Sequence, residues 1–549
     1  ESLTDGADRL PAFFEKIPAE SPYIIAGTEP VPIGKFTNFM SRYAAFTKAL
    51  TEDINKRSHT SRKDLDSSVR FWLSLSEELS RAMDSDDPLS RMGFAPQAHM
   101  AIYGIGWFPV YRVELANPDA LEQMISRAES KSGLKGDLRK VGEKTYRFYE
   151  LSSDAYLAVA ITDSELVIGA AAPEAFDSFL QYMLGEKKPE RSLAETKQLE
   201  RVIDKYGFEA YAAGYVDVEQ LAGVITGAEI PRGVMMEMLD ATEFEPVETS
   251  EVCRREIAGI ARQYPRVVLG YERFDQNKLV MKMGLESRTG LPGKLAATRT
   301  SIPDHRRRED PPLAKAGLGV DVDAFLSVLH DEATALSNDP FECEELSDVN
   351  ELAKQTRVYV GQAPPFARDV RGIAVTLENL EMNPKNMQPK SIEGIALVET
   401  TNPSSLLAQL QMLVPQISNL AVKPDGVPVA VDGLSGKPFL KVPHIARDQD
   451  TLAASVGVGM QDEMAVRLEK GGETDTRTPM FSIGYDYGRL MKAGFSSLGA
   501  RGPNPPSTPS FMQKAYDMFG FFEMSFDAVP EGLFMTMSMT VEPPKEPPK

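Results

Sequence analysis

Residues 113–121 read VELANPDAL, and residues 398–406 read VETTNPSSL. In each, a valine and a glutamate close an apolar run that reads as a strand, and an asparagine and a proline then open an amphipathic helix. Proline suits a first helical turn, where its missing N–H leaves no bond unmade, and the preceding asparagine can accept from the free N–H groups of that turn. Nine residues can agree by accident, so the neighbouring segments carry the weight. Downstream of the first stretch come strand-like runs at 145–149, 155–162 and 165–171, then a helix from Pro173. Downstream of the second come runs at 427–431, 438–442 and 451–458, then a helix from Met460. FEAYAAGYVD at 208–217 then pairs with MFSIGYD at 480–486, each leading into a short helix. The hairpin 267–286, turning at Asp275-Gln276-Asn277, pairs with 519–542, turning at 527–532, and even the beginnings correspond, 24–36 with 318–325. The spacing between partners falls from 285 to about 270 to about 252, the drift expected of a second copy with shortened loops.

The expected fold is therefore α+β, as two tandem copies of a mainly antiparallel sheet packed with helices. The first copy occupies 1–290 and the second 313–542. Between them, 291–312 is a Gly- and Pro-rich linker around His305-Arg306-Arg307-Arg308, and 543–549 is a proline-rich tail that cannot pack. Helices are expected at 34–54, 65–83, 118–131, 173–184, 192–206, 250–263, 322–336, 345–355, 403–413 and 510–518, falling between hairpins rather than after single strands. In 277–286 and 533–542 apolar residues alternate with Lys, Gly, Thr or Ser, the mark of a sheet with one wet face. Leu533, Met535, Met537 and Met539 share one side of the last strand and are expected to fill a core under helices.

Composition limits the function. With 42% hydrophobic and 26% charged residues the chain is globular, which excludes wholesale disorder. A net charge of −20 repels phosphate and argues against a nucleic-acid partner. The most apolar region, 155–176, is broken by Asp163 and Glu165, so no transmembrane segment is expected. The chain starts at Glu1, which reads as a mature exported protein whose signal peptide, or lipoprotein anchor cysteine, preceded it. In an exported chain the only two cysteines, Cys253 and Cys343, are expected to form one disulfide.

No signature of chemistry is complete. The histidines His59, His99, His305, His330 and His444 form no zinc-binding pattern. His330-Asp331-Glu332 reads as the surface end of a helix, and Gly433-Leu434-Ser435-Gly436-Lys437 is a hairpin turn, not a nucleophile elbow. Asp84-Ser85-Asp86-Asp87 lacks the distal glutamate of a calcium loop and reads as a helix-ending acidic loop. Gly104-Ile105-Gly106 reads as a turn between strands, and Trp72 and Trp107 read as core. No catalytic, cofactor-binding or metal-ligating residue is nominated.

The stretch 155–223 runs strand, turn, strand, then a helix with Pro173-Glu174-Ala175-Phe176, Ser192-Leu193-Ala194-Glu195, a further helix, and Tyr215-Val216-Asp217-Val218. It resembles a family of bacterial exported proteins grouped as a domain of unknown function, over about a quarter of the chain. The resemblance implies an envelope location, sometimes with a lipid anchor, and no assigned activity. The expected function is that of a non-enzymatic periplasmic or envelope-tethered binding or scaffold protein, with an envelope protein or an apolar small molecule as partner. Rival readings are a carrier of lipid held between sheet and helices, and a hydrolase with a dispersed site.

Overall fold

A computed structural model describes residues 10–33, 67–83, 85–275, 277–303, 311–383, 388–434, 439–469, 478–498 and 519–541, together with Phe46 and Ala49. The chain divides into two compact units, one built on residues up to Glu286 and one on residues from Ser287 onward. The fold is α+β with antiparallel sheet throughout.

The first unit holds β1 (Tyr23–Ala26), β2 (Met100–Ile105), β3 (Phe108–Glu114), β4 (Asp137–Val141), β5 (Lys144–Ser152), β6 (Ala155–Ile161), β7 (Glu165–Ala171), β8 (Ala213–Asp217), β9 (Arg266–Phe274) and β10 (Lys278–Glu286). Its pairings are all antiparallel and give the order β4-β5-β6-β7-β3-β2-β1-β8-β9-β10. The second unit holds β11 (Ala314–Gly319), β12 (Val370–Met382), β13 (Pro389–Thr400), β14 (Val429–Ala430), β15 (His444–Arg447), β16 (Thr451–Val456), β17 (Phe481–Asp486), β18 (Phe519–Val529) and β19 (Gly532–Val541). Here the order is β14-β15-β16-β13-β12-β11-β17-β18-β19, again antiparallel. Apart from β4, strands stand in the same sequence across both sheets.

Local chemistry agrees at the matched segments. Asn117 and Asn402 cap their helices with nearly equal backbone angles, φ −140° and −143°. Their side chains accept from Ala120 N–H at 3.2 Å and Ser405 N–H at 3.0 Å. Asp217 and Asp486 likewise cap the helices that follow β8 and β17, accepting from Gln220 and Arg489 N–H. Their own N–H groups donate to Pro22 and Leu313 carbonyls, so β1 aligns with β11 three residues away from the match of 24 with 318.

In each unit a helix that leaves the matched segment covers one end of one sheet face. Leu121 and Ile125 of the helix Pro118–Ser132 pack with Val113, Tyr149, Val159 and Leu166. Leu406 and Leu407 of the helix Pro403–Leu413 pack with Leu452 and Val398. The opposite face is covered by the helices Phe176–Met183 and Met460–Glu469, where Phe179 lies on Gly169 and Met464 joins Ala374, Ile395 and Ala453.

Several expectations are corrected. Of the strand expected at 438–442, the described residues 439–442 form none: Val442 sits at φ 49°, a region a β-branched residue enters only under strain, and Pro443 follows, so pairing begins at His444. The helix at 192–206 breaks at Lys197, also at φ 49°. Residues 291–303 are no free linker: they include the helix Leu291–Ala296, and Ile302 is buried in the second unit's core. Trp72 is 61% exposed on its helix, so it is not core, whereas Trp107 packs edge-on against Phe244 at 4.9 Å. Asp87, from the acidic loop, caps the short helix Pro88–Met92 by accepting from Ser90 N–H. The segments 34–45 and 510–518, His305–Arg308 and the tail 543–549 lie outside the described residues.

Candidate functional site: an apolar sheet face

Antiparallel partners directly opposite each other point to the same face, so register gives the composition of each face. Across the second sheet one row runs Ala454, Ala396, Val375, Ala316, Ile483, Met524 and Met537. The next row on that face runs Val398, Ile373, Leu318, Phe481, Phe526 and Met535. Both rows are wholly apolar. The other face carries Gly317, Ser482, Ser525 and Thr536 in one row, with the Lys315–Glu523 ion pair (2.7 Å) beside it.

Burial reverses the expectation. At β11, β12 and β17 the small and polar face is the enclosed one, with Ser482 only 1% exposed, while Ser525 and Thr536 further along the row are half-buried. Residues 300–303 lie directly on it: a Cβ on Gly317 would meet Ile302 at 2.5 Å and one on Gly372 would meet Pro303 at 2.8 Å. A larger residue has no room at either position, because the Ile302 side chain at Gly317 and the Pro303 ring and Ser301 carbonyl at Gly372 come so close. On the apolar face the helix Pro403–Leu413 covers Val398 and Leu452, and the face is open beyond it, where Val375 is 46% and Phe526 42% exposed and Ile483 and Leu533 are also exposed. Met535, Met537 and Met539 do share one side as expected, but they are half-buried rather than sealed beneath helices. The corresponding row of the first sheet runs Ile168, Tyr111, Ile102, Ile25, Gly214, Leu269 and Met283, and there too Ile25 and Ile102 are exposed.

A second constellation, in the first unit, is closed. Arg112 of β3 is wholly buried and donates to Glu165 Oε2 at 2.6 Å, to Tyr103 Oη at 3.1 Å and to the Met183 carbonyl. Lys16 reaches Glu165 Oε1 at 2.5 Å. Burial alone would raise the Glu165 carboxyl, but Arg112 and Lys16 outweigh it and hold the group below the usual range. Burial lowers Lys16, and the neighbouring Arg112 adds to that. Because Arg112 and Lys144 donate to the Met183 and Leu184 carbonyls, the cluster caps the end of the helix Phe176–Met183. Every polar atom of the guanidinium is engaged in holding structure.

The remaining candidates disperse. His99 pairs with Glu114, Nδ1 to Oε2 at 2.8 Å, His444 lies against the Val442 carbonyl, and His330 is exposed on the helix Val322–Asn338. The structure brings no two of these together. His59 and His305 lie outside the described residues, as do Asp84 and Ser435–Lys437. Gly106 turns the β2–β3 hairpin at φ 59°. Cys253 and Cys343 stand at disulfide distance and neither is a free thiol; Ser250 caps the helix that carries Cys253.

The open face escapes a reading of the sequence because period-two alternation says which residues share a side but not which side is covered. The available signal is the run of glycines at 317, 319, 372 and 484, all on the small face, which marks close backbone approach there. Comparisons with protein-family models, with curated proteins and with solved structures find no match to this chain.

Proposed function

We propose that this protein is a non-enzymatic binding protein that receives an apolar ligand of the long-chain acyl class on the open face of its second sheet, with both units read as copies of one module. The observation that carries the reading is the inverted burial at β12, β17 and β18: Val375, Ile483 and Phe526 remain exposed on the apolar face while Ser482 and the glycines at 317, 372 and 484 are enclosed on the other. Accessible apolar area of this kind is costly in water and marks a binding surface. Methionines and phenylalanines suit a ligand of variable shape, since thioethers repack with little strain. An exported, envelope-attached location belongs to the same proposal. It is supported by the disulfide state of both cysteines, which an oxidising compartment maintains.

The test is titration of a fluorescent long-chain fatty acid into the full chain and into the Ile483→Lys and Phe526→Lys variants, with circular dichroism to verify folding. The expected result is saturable binding that each lysine weakens by about tenfold or more, since a charge at the face must be desolvated on binding. Absence of saturable binding, or undiminished binding to folded variants, would overturn the proposal.

A further inference from the structure

The first unit carries a second surface whose character differs from that of the sheet face. Between β8 and β9 the chain forms the helices Val218–Thr226, Gly233–Ala241 and Glu251–Gln263. Its middle, 225–251, contains seven acidic residues against the single base Arg232. Two crossings tie it together: Val247 N–H donates to the Ile225 carbonyl at 2.9 Å and Glu229 N–H to the Gly223 carbonyl at 3.0 Å. Beneath, Val224, Met235 and Leu239 form a small core with Trp107 and Phe244, and Glu20 accepts from Val234 N–H at 3.0 Å. The segment is therefore anchored from below.

Above that core the segment exposes aliphatic side chains: Ile230 is 84% exposed, and Val247, Met236 and Ile225 are exposed as well. Glu229, Asp240, Glu243, Glu245 and Glu248 are exposed around them, and among the described residues none is held in an ion pair. Folding explains neither feature, because the aliphatics miss the core beneath and the acids repel one another. The corresponding stretch after β17, 487–518, has four bases and one acid, so the character belongs to the first unit alone.

We propose that this acidic, aliphatic surface docks a basic amphipathic segment of a partner protein. Charge complementarity selects the occupant: Lys and Arg answer the ring of acids while an apolar face covers Ile230, Val247 and Ile225. The same charge repels anionic membranes and nucleic acid. This surface is independent of the sheet face and of any ligand held there.

The experiment measures fluorescence anisotropy of a labelled amphipathic Lys/Leu peptide against the full chain at two salt concentrations. The expected outcome is salt-sensitive binding that Glu245→Lys/Glu248→Lys and, separately, Ile230→Ser/Val247→Ser each weaken by about tenfold. The charge-matched control Glu150→Lys/Asp154→Lys, on an exposed hairpin of the same unit, leaves it within about twofold. Equal weakening by the control would reduce the effect to bulk attraction and overturn the proposal, as would indifference to the serine pair. Tighter peptide binding after Arg306→Ser/Arg307→Ser/Arg308→Ser would show the surface already held by the chain's own basic segment, and would equally overturn it.

Discussion

Glu114 and Glu399 occupy the same place in the two matched segments, each following the valine that ends a strand, yet their surroundings push them in opposite directions. In the first unit the hydrogen bond from His99 holds Glu114 below the ordinary carboxylate range. In the second, burial raises Glu399, and the nearby Asp450 and Asp448 raise it further. The contrast extends across the units. Glu78, Glu165 and Glu286 of the first are all held low despite burial, because Lys131 and Arg127, Arg112 and Lys16, and Lys205 respectively stand against them. Asp448 and Asp527 of the second are raised, in both cases chiefly by burial. Strand order is therefore one thing and electrostatics another: two sheets with the same sequence of strands distribute charge independently.

The buried arginines differ in the same way. Arg112 enters the first unit's interior from β3 and donates to Tyr103. Arg467 enters the second from the helix Met460–Glu469 and donates to Thr376 at 3.0 Å and Glu378 at 2.9 Å. Register places Tyr103 opposite Ile24 and Thr376 opposite Lys315, corresponding positions on β2 and β12. A guanidinium reaches that place in both units, but from different elements.

The largest effect expected from this comparison is in Arg112→Met. Removing the cation leaves Glu165 buried with Lys16 alone and takes the guanidinium donor from the Met183 carbonyl, which should cost about 3–5 kcal/mol. Arg467→Met should cost less, about 1–2 kcal/mol, because Glu463 and Glu378 retain access to water. Denaturant unfolding followed by hydrogen exchange, read unit by unit, checks both; equal losses would erase the distinction.

Acid should divide the units next. A carboxylate held low in the folded state contributes stability that is present above its unfolded value, about 4.3, and lost as pH falls through the folded value. Glu78, held down at about 2, thus withdraws its contribution between about pH 4.3 and 2, and Glu165 and Glu286, also held low, lose theirs as pH falls below that unfolded value. Glu399, Asp448 and Asp527 have the opposite sign: the folded value is raised, so they oppose folding at neutral pH and cease to do so as they protonate. Hydrogen exchange from pH 6 downward, corrected for intrinsic rates, should show protection lost first in the strands β1–β10. Loss first in β11–β19 would reverse the assignment.

The smallest effect tests likeness rather than difference. Asn117→Ala and Asn402→Ala each remove one cap of nearly identical geometry and should each cost about 1 kcal/mol. Thermal unfolding would reveal a disparity if the two segments are less alike than their backbone angles indicate.

The parts legible in the sequence are those with local causes. Asn-Pro at a strand's end, Asp before a helix and alternation in the hairpins report the residues' own backbone preferences, so the caps, most strands and the antiparallel α+β class follow from them. Residues 439–442, within the strand expected at 438–442, form none because Val442 and Pro443 take a turn that composition does not reveal. Which face of the second sheet is covered depends on where 291–303 travels after β10, a tertiary matter. Its Gly and Pro content suggests a linker, yet the segment brings Ile302 onto Gly317 and leaves the methionine side open. The buried Arg112 is equally hidden: Glu165 lies 53 residues from it along the chain, and Lys16 lies 149 residues from Glu165, far beyond any local pattern.

The most direct test of the open apolar face is methionine oxidation by peroxide, followed by mass spectrometry on the folded chain. Met524, Met535, Met537 and Met539 should oxidise about tenfold faster than the fully buried Met183 and Met238, and should slow when a saturating long-chain fatty acid is present. If those four react in ligand-free protein as slowly as Met183 and Met238, the face is closed and the binding function assigned to it is contradicted.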